Sequence, residues 1–172
     1  MLFTGTYLRT LDDKQRLALP KRLRDALGQS PNIPLYLAPG TDGSLALYTE
    51  EGFSRLGQQL AQGSPVGPDL RAFSRLFYAQ AQSVEVDSQG RIRIPSELAE
   101  LARLGKEIVL LGVRDHMELW DKTRWDEYLN DRQPNYDTLA ENAFDTGAGL
   151  TKPKTAATTE TNLEEGRPTQ PR

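Results

Sequence analysis

One stretch of this chain occurs twice, and that duplication restricts its possible folds more than any other feature. Asp12-Asp13-Lys14-Gln15-Arg16-Leu17-Ala18-Leu19-Pro20 returns 75 positions later as Asp87-Ser88-Gln89-Gly90-Arg91-Ile92-Arg93-Ile94-Pro95. The shared frame is Asp-x-x-x-Arg, an apolar residue, a variable one, a second apolar residue and Pro. Leu23 then matches Leu98, Leu45-Ala46-Leu47-Tyr48 matches Met117-Glu118-Leu119-Trp120, and Phe53 matches Trp125. The chain is therefore two copies of one unit with a connecting segment between them.

Each copy reads as the same run of elements. Val84 and Val86, then Ile92 and Ile94, alternate with polar residues around a turn, which predicts a hairpin with one buried face. Gly90 suits the positive φ of a tight turn; the first copy has Gln15 at that place. Pro20 and Pro95 end the strands and open short helices. Leu23, Ala26 and Leu27 stand at helical spacing, as do Leu98, Leu101 and Ala102, with Gly28 and Gly105 placed as stops. A second hairpin follows in each copy, Leu35–Ala38 with Ser44–Tyr48 and Glu107–Leu111 with Met117–Trp120. An amphipathic helix closes each copy, bearing Phe53, Leu56 and Leu60 or Trp125, Tyr128 and Leu129. The unit is β-β-α-β-β-α, so the fold class is α+β.

A Gly/Pro-rich loop, Gln62 to Pro68, joins the copies. It leads into a helix whose apolar face holds Leu70, Phe73, Leu76 and Phe77. Beyond Arg132 the periodicity fades. A short helix over Thr138–Phe144 is the last element predicted, and residues 151–172, with six threonines and no aromatic residue, read as a disordered tail.

Charge must be read locally. The chain carries a net −3, which taken whole argues against a nucleic-acid partner. Residues 1–28, however, hold six bases (Arg9, Lys14, Arg16, Lys21, Arg22, Arg24) against three acids, while residues 131–172 hold five bases against seven acids. An acidic tail thus masks a basic face. With no cysteine, disulfides, thiolate metal sites and cysteine nucleophiles are excluded. The single histidine, His116, sits in a predicted hairpin loop beside Asp115 and reads as solvated. Adjacent carboxylates at Asp12-Asp13, Glu50-Glu51 and Glu164-Glu165 lack the convergence that acid/base catalysis needs. Gly40-Thr41-Asp42-Gly43-Ser44 lacks the lysine of a phosphate loop. No metal-ligand grouping, cofactor motif or catalytic site is read, so the chain is not expected to be an enzyme. No apolar stretch approaches a membrane span and no signal peptide is read, so a soluble cytoplasmic protein is expected.

At the two Asp-x-x-x-Arg signatures, at Phe3-x-Gly5-x-Tyr7, and at Leu110-Leu111-Gly112 leading to Glu118-Leu119-Trp120-Asp121, the sequence resembles the MraZ family of bacterial transcriptional regulators. That family lies within the AbrB-like group, and the resemblance covers residues 1–130. It implies a swapped-hairpin, double-psi-type barrel. The corresponding parts are a first AbrB-like domain at 5–51, a helical connector at 52–80 and a second AbrB-like domain at 81–124. A C-terminal helical segment at 125–150 and the tail at 151–172 complete the chain. The resemblance further implies a nucleoid-associated regulator that forms homo-oligomeric rings. Such rings bind tandem direct repeats in double-stranded DNA, upstream of the division and cell-wall gene cluster that begins with the regulator's own gene. An AbrB-like antitoxin or other protein-interaction module is the alternative; its usual single hairpin unit fits two fused units less well.

The residues add their own argument. A two-stranded ribbon is an element that fits the major groove, and Arg93, between Ile92 and Ile94, points away from the core by alternation. The candidate DNA-binding residues are Arg9, Lys14, Arg16, Arg22, Arg91 and Arg93. Asp12 and Asp87 are candidate ion-pair partners that close the loops around Arg16 and Arg91, and loop closure alone is the competing explanation for those arginines. Lys21, Arg22 and Arg24 read more readily as the solvated face of a short helix. Tyr48, Trp120 and Trp125 are expected in the core. Ring contacts are expected from the connecting helix, through Phe73 and Phe77, and from the last helix, through Trp125.

Overall fold

The computed structural model describes residues 2–27, 34–62 and 67–146. Gly28, loop residues 63–66 and the threonine-rich segment 151–172 lie outside these. The elements run β1 (Phe3–Thr10), β2 (Arg16–Ala18), α1 (Lys21–Leu27), β3 (Pro34–Pro39), β4 (Leu45–Thr49), α2 (Glu50–Ala61) and α3 (Pro68–Gln80). They continue with β5 (Gln82–Glu85), β6 (Arg91–Arg93), α4 (Ser96–Leu101), β7 (Glu107–Arg114), β8 (His116–Asp121), α5 (Lys122–Arg132), a 3-10 turn (Gln133–Asn135) and α6 (Tyr136–Thr146). Met1–Asp131 form one compact unit, and a second begins at Arg132; the second is described by the 3-10 turn and α6.

Six strands form one antiparallel sheet in the order β1-β7-β8-β4-β3-β5, and β2 pairs with β6 in a separate ribbon. The hairpin expected between the strands flanking each Asp-x-x-x-Arg turn does not form as a ladder. β5 pairs with β3 and β6 with β2, while β1 pairs with β7. Each repeat thus gives one arm to the other, the swap that the resemblance implied. Alternation in a strand shows which face is buried and says nothing of which strand lies alongside, so residue patterns alone led to the local partner. The implied closed barrel is also corrected. β1 and β5 are open edges, because the ribbon strands are three residues long and pair with each other.

The register reveals an internal two-fold axis. Leu17 faces its own counterpart Ile92, with Arg16 opposite Arg93 and Ala18 opposite Arg91. Ala46 likewise faces its counterpart Glu118. Core residues follow from this arrangement. Leu17 and Ile92 from the ribbon, Leu19 and Ile94 just beyond it, and Leu23 and Leu98 from the short helices bury against Leu35, Leu37, Leu45, Leu47, Ile108, Leu110, Met117 and Leu119 on the inner sheet face.

The outer sheet face is covered by helices. Trp120, buried with Val109 and Leu111, packs against Trp125 and Tyr128 of α5. Under α2 and α3, Tyr36, Tyr48, Phe53 and Phe77 form a chain of ring contacts with centroids 4.7–6.4 Å apart. Thr49 caps α2 by accepting from the Gly52 amide at 3.1 Å. Three local expectations are corrected. Leu101, read as apolar-face, is 49% exposed. Gly105 is not the stop of α4; Arg103 takes the left-handed conformation at φ +51°, and the Gly105 amide donates to Asp121 at 3.0 Å. Leu129 also faces outward.

Candidate nucleic-acid interface

The two Asp-x-x-x-Arg turns are built alike. Asp12 Oδ1 accepts from the amides of Lys14 and Arg16, each at 2.9 Å, and Oδ2 takes Arg16 Nε and Nη2, each at 2.8 Å. Asp87 Oδ1 accepts from the amides of Gln89 and Arg91 at 2.9 Å, and Oδ2 takes Arg91 Nε at 2.9 Å and Nη2 at 2.8 Å. The Arg16 amide and then its guanidinium hold the Asp12 carboxyl below its ordinary range. For Asp87 the Arg91 side chain is the larger cause and its amide the second. Both turns need a left-handed residue, supplied by Gln15 at φ +57° and Gly90 at φ +76°.

Each arginine therefore turns the Nε/Nη2 edge of its guanidinium toward its aspartate. Because Leu17 and Ile92 are buried, alternation puts Arg16, Ala18, Arg91 and Arg93 on the opposite face of the ribbon. Three of those four side chains are arginines. The pairing of Arg16 beside Arg93 is repulsive in itself, and Asp12 offsets it. Lys14 is exposed at the tip of the first turn.

The remaining candidates lie elsewhere. Arg9 is on the strand face shared with Phe3 and Tyr7; its Nη1 donates to the Leu8 carbonyl at 2.8 Å, and its guanidinium stands 5.8 Å from the Tyr7 ring centre. Arg22 donates to Thr4 Oγ1 at 3.4 Å, near the start of β1. Arg24, read from the sequence as part of the solvated face of a short helix and not as a candidate contact, has its guanidinium lying across Gly90 of the other repeat. The signal was present in the repeat itself. Arg24 aligns with Ala99 just as Gln15 aligns with Gly90, so the two departures from symmetry fall at positions brought together by the swap.

His116 is not the solvated loop residue expected. The connection is the tight turn at Arg114 (φ +61°) and Asp115, so His116 begins β8 and is only 20% exposed. Its Nδ1 lies 3.0 Å from Asp115 and its Nε2 3.5 Å from Glu118, and its ring stacks on Tyr48 at 5.1 Å. Glu118 also accepts from Trp120 Nε1 at 2.9 Å. The Glu118 bond, then that of Asp115, raises the His116 pKa against the opposing effect of burial. Burial and these carboxylates push the Tyr48 hydroxyl up to about 12. This is a structural ion cluster distant in sequence from both turns. Among the described residues no group of three His, Cys, Asp or Glu side chains is placed to hold a metal ion, and no helix is long and apolar enough to cross a membrane.

A family model described as "MraZ protein, putative antitoxin-like" matches the chain twice, over residues 2–76 and 77–147. The chain is also similar to proteins named transcriptional regulator MraZ. That of Moorella thermoacetica is 39% identical over 84% of this chain and 98% of the relative. Those of Mesoplasma florum and Finegoldia magna are 38% and 35% identical, again over 84% of this chain, and over 97% and 98% of the relatives. The repeat units matched are those that exchange strands across the two-fold axis, and on this evidence the chain belongs to the MraZ family.

Proposed function

We propose that this chain is a non-enzymatic, DNA-binding transcriptional regulator whose ribbon and paired turns engage double-stranded DNA. The observation that carries the reading is the outer face of the ribbon, with Arg16, Arg91 and Arg93 at three of its four positions and Lys14 at the neighbouring turn. A twisted two-stranded ribbon fits the major groove, and arginine edges not taken by Asp12 and Asp87 suit phosphate oxygens or guanine. The regulator names of the relatives support the same conclusion. Arg9 and Arg22 are secondary contacts in this reading, since both lie apart from the ribbon.

One subunit offers few contacts, so affinity is supplied by a homo-oligomeric ring laid on tandem direct repeats in the promoter of its own division and cell-wall gene cluster. This places the protein in the cytoplasm on the nucleoid. The surface suited to a second copy is the apolar groove of Pro39, Gly40, Phe73, Leu76 and Leu101, with Phe73 45% and Leu76 65% exposed. Phe77 lines the same groove from its buried side, and Trp125, partly buried, packs on Trp120. The antitoxin reading retains the support of the family model's description.

Fluorescence anisotropy with the protein's own upstream DNA and a scrambled duplex, at two salt concentrations, tests the reading. Selective, salt-sensitive binding by an oligomer is expected. A monomer by light scattering removes the ring. Equal, negligible binding to both duplexes removes DNA and moves the partner to a protein.

A further inference from the structure

We propose that Arg24, carried by the first repeat, is a phosphate contact of the second repeat's turn; the proposal rests on the DNA-binding reading above. Its Nε is buried without a hydrogen-bond partner, the only side-chain atom so placed among the described residues. Its Nη1, Cζ and Cδ lie so close over Gly90 that a Cβ there would fall 2.1, 2.7 and 2.7 Å from them. Among the described residues no carboxylate pairs with it. A half-buried guanidinium without an anion is an unfavourable arrangement in an isolated protein. An anion arriving at the turn would reverse that.

The surrounding charges point the same way. Arg91 and Arg24 flank one turn, whereas that turn holds one aspartate, Asp87, already bound to Arg91. One positive charge is left over. In the first turn the corresponding pair is Gln15 with Ala99, and no arginine crosses over; the extra base is Lys14 at the tip, where the second turn has Gln89. Asp13 stands beside Lys14 where the second turn has Ser88, so the charges of the first turn cancel and the second turn, through Arg24, carries the cation beyond its Asp–Arg pair. That cation depends on strand exchange, because Arg24 reaches Gly90 only when both repeats are interleaved. Gly90 is a glycine for two reasons, its φ of +76° and the guanidinium that covers it.

The partner group is a phosphodiester oxygen, so the effect is independent of base sequence. Arg24→Gln keeps most of the stem and removes the charge. In the full chain, binding to the upstream and scrambled duplexes is measured over a salt series. The log–log salt slope should become shallower by about 0.9 for each bound subunit, with equal proportional loss on both duplexes and substantial recovery in Arg24→Lys. The double variant Arg24→Ala with Gly90→Gln copies the first turn's pair into the second. It should fold and show the same reduced slope. An unchanged slope in either folded variant overturns the proposal, including a case where the melting temperature falls but the slope does not, which would make Arg24 a structural prop. Wild-type protein that binds neither duplex overturns the DNA reading itself.

Discussion

Truncating Ile92 tests the placement of the ribbon. Ile92 is fully buried and faces Leu17 across the two-fold axis. Ile92→Ala removes three carbon groups, about 2.4 kcal/mol at roughly 0.8 kcal/mol each. The unfilled space adds to this, for a total of about 3–4 kcal/mol. Unfolding entropy of about 2.1 cal/mol/K per residue over the unit Met1–Asp131 makes 3 kcal/mol a fall of about 11 °C in melting temperature. Leu17→Ala should cost a similar amount, and the double variant less than the sum by about 0.5–1.5 kcal/mol, because each truncation already empties the contact made by the other. The adjacent Arg93→Ala, on the opposite face, should stay within about 0.5 kcal/mol. Urea and thermal unfolding followed by circular dichroism, at one fixed protein concentration, give these values. If Ile92→Ala costs less than about 1 kcal/mol while Arg93→Ala costs more, the ribbon faces the other way, and the basic surface proposed for DNA is lost with it.

Three further outcomes are expected. His116 is held between Asp115 and Glu118 and its folded pKa is raised. Its stabilisation is therefore complete below the unfolded value near 6.5 and is lost as pH rises through the folded one. His116→Gln should cost about 1–2 kcal/mol at pH 6 and progressively less in urea melts at higher pH. Asp12 and Asp87 are shifted the opposite way; their contribution is present above the ordinary carboxyl value of 3.8 and disappears as pH falls through the folded values. Asp12→Asn with Asp87→Asn should flatten the acid limb of melting temperature against pH, and an unaltered limb would show that the turns do not depend on those ion pairs. Gly90→Ala forces a side chain into φ +76° against Arg24 and should destabilise by about 1–2 kcal/mol. Gln15→Gly relieves the same conformation at φ +57° and should stabilise by a few tenths, up to about 0.5 kcal/mol, against the entropy cost of glycine; thermal melts of the two variants should move in opposite directions.

The repeat alignment made the element order, the two turns and most of the core legible, because burial imposes an alternation that every strand must satisfy. Leu17, Leu19, Ile92 and Ile94 were assignable to one inner face from that pattern. The partner strand was not assignable from it. An arm that buries Ile92 looks the same whether it folds back on β5 or crosses to β2, since both arrangements bury the same face. His116 was misplaced by one residue of loop length, which moved it from solvent into a strand between two carboxylates. Arg24 lay on a helix too short to reveal which neighbour it touched.

What the sequence determined by itself was a duplicated α+β unit with two carboxylate-braced turns and basic residues next to them. These depend on contacts within a few positions of one another, such as Asp12 with Arg16 and Asp87 with Arg91. The tertiary structure decided the exchange of arms, the open sheet with its separate ribbon, the gathering of Arg16, Arg91 and Arg93 on one surface, and the passage of Arg24 over Gly90. Those contacts join residues from different repeats. They form because exchange lets both ribbon strands cover one continuous apolar sheet face, and local sequence carries no record of which copy does the covering.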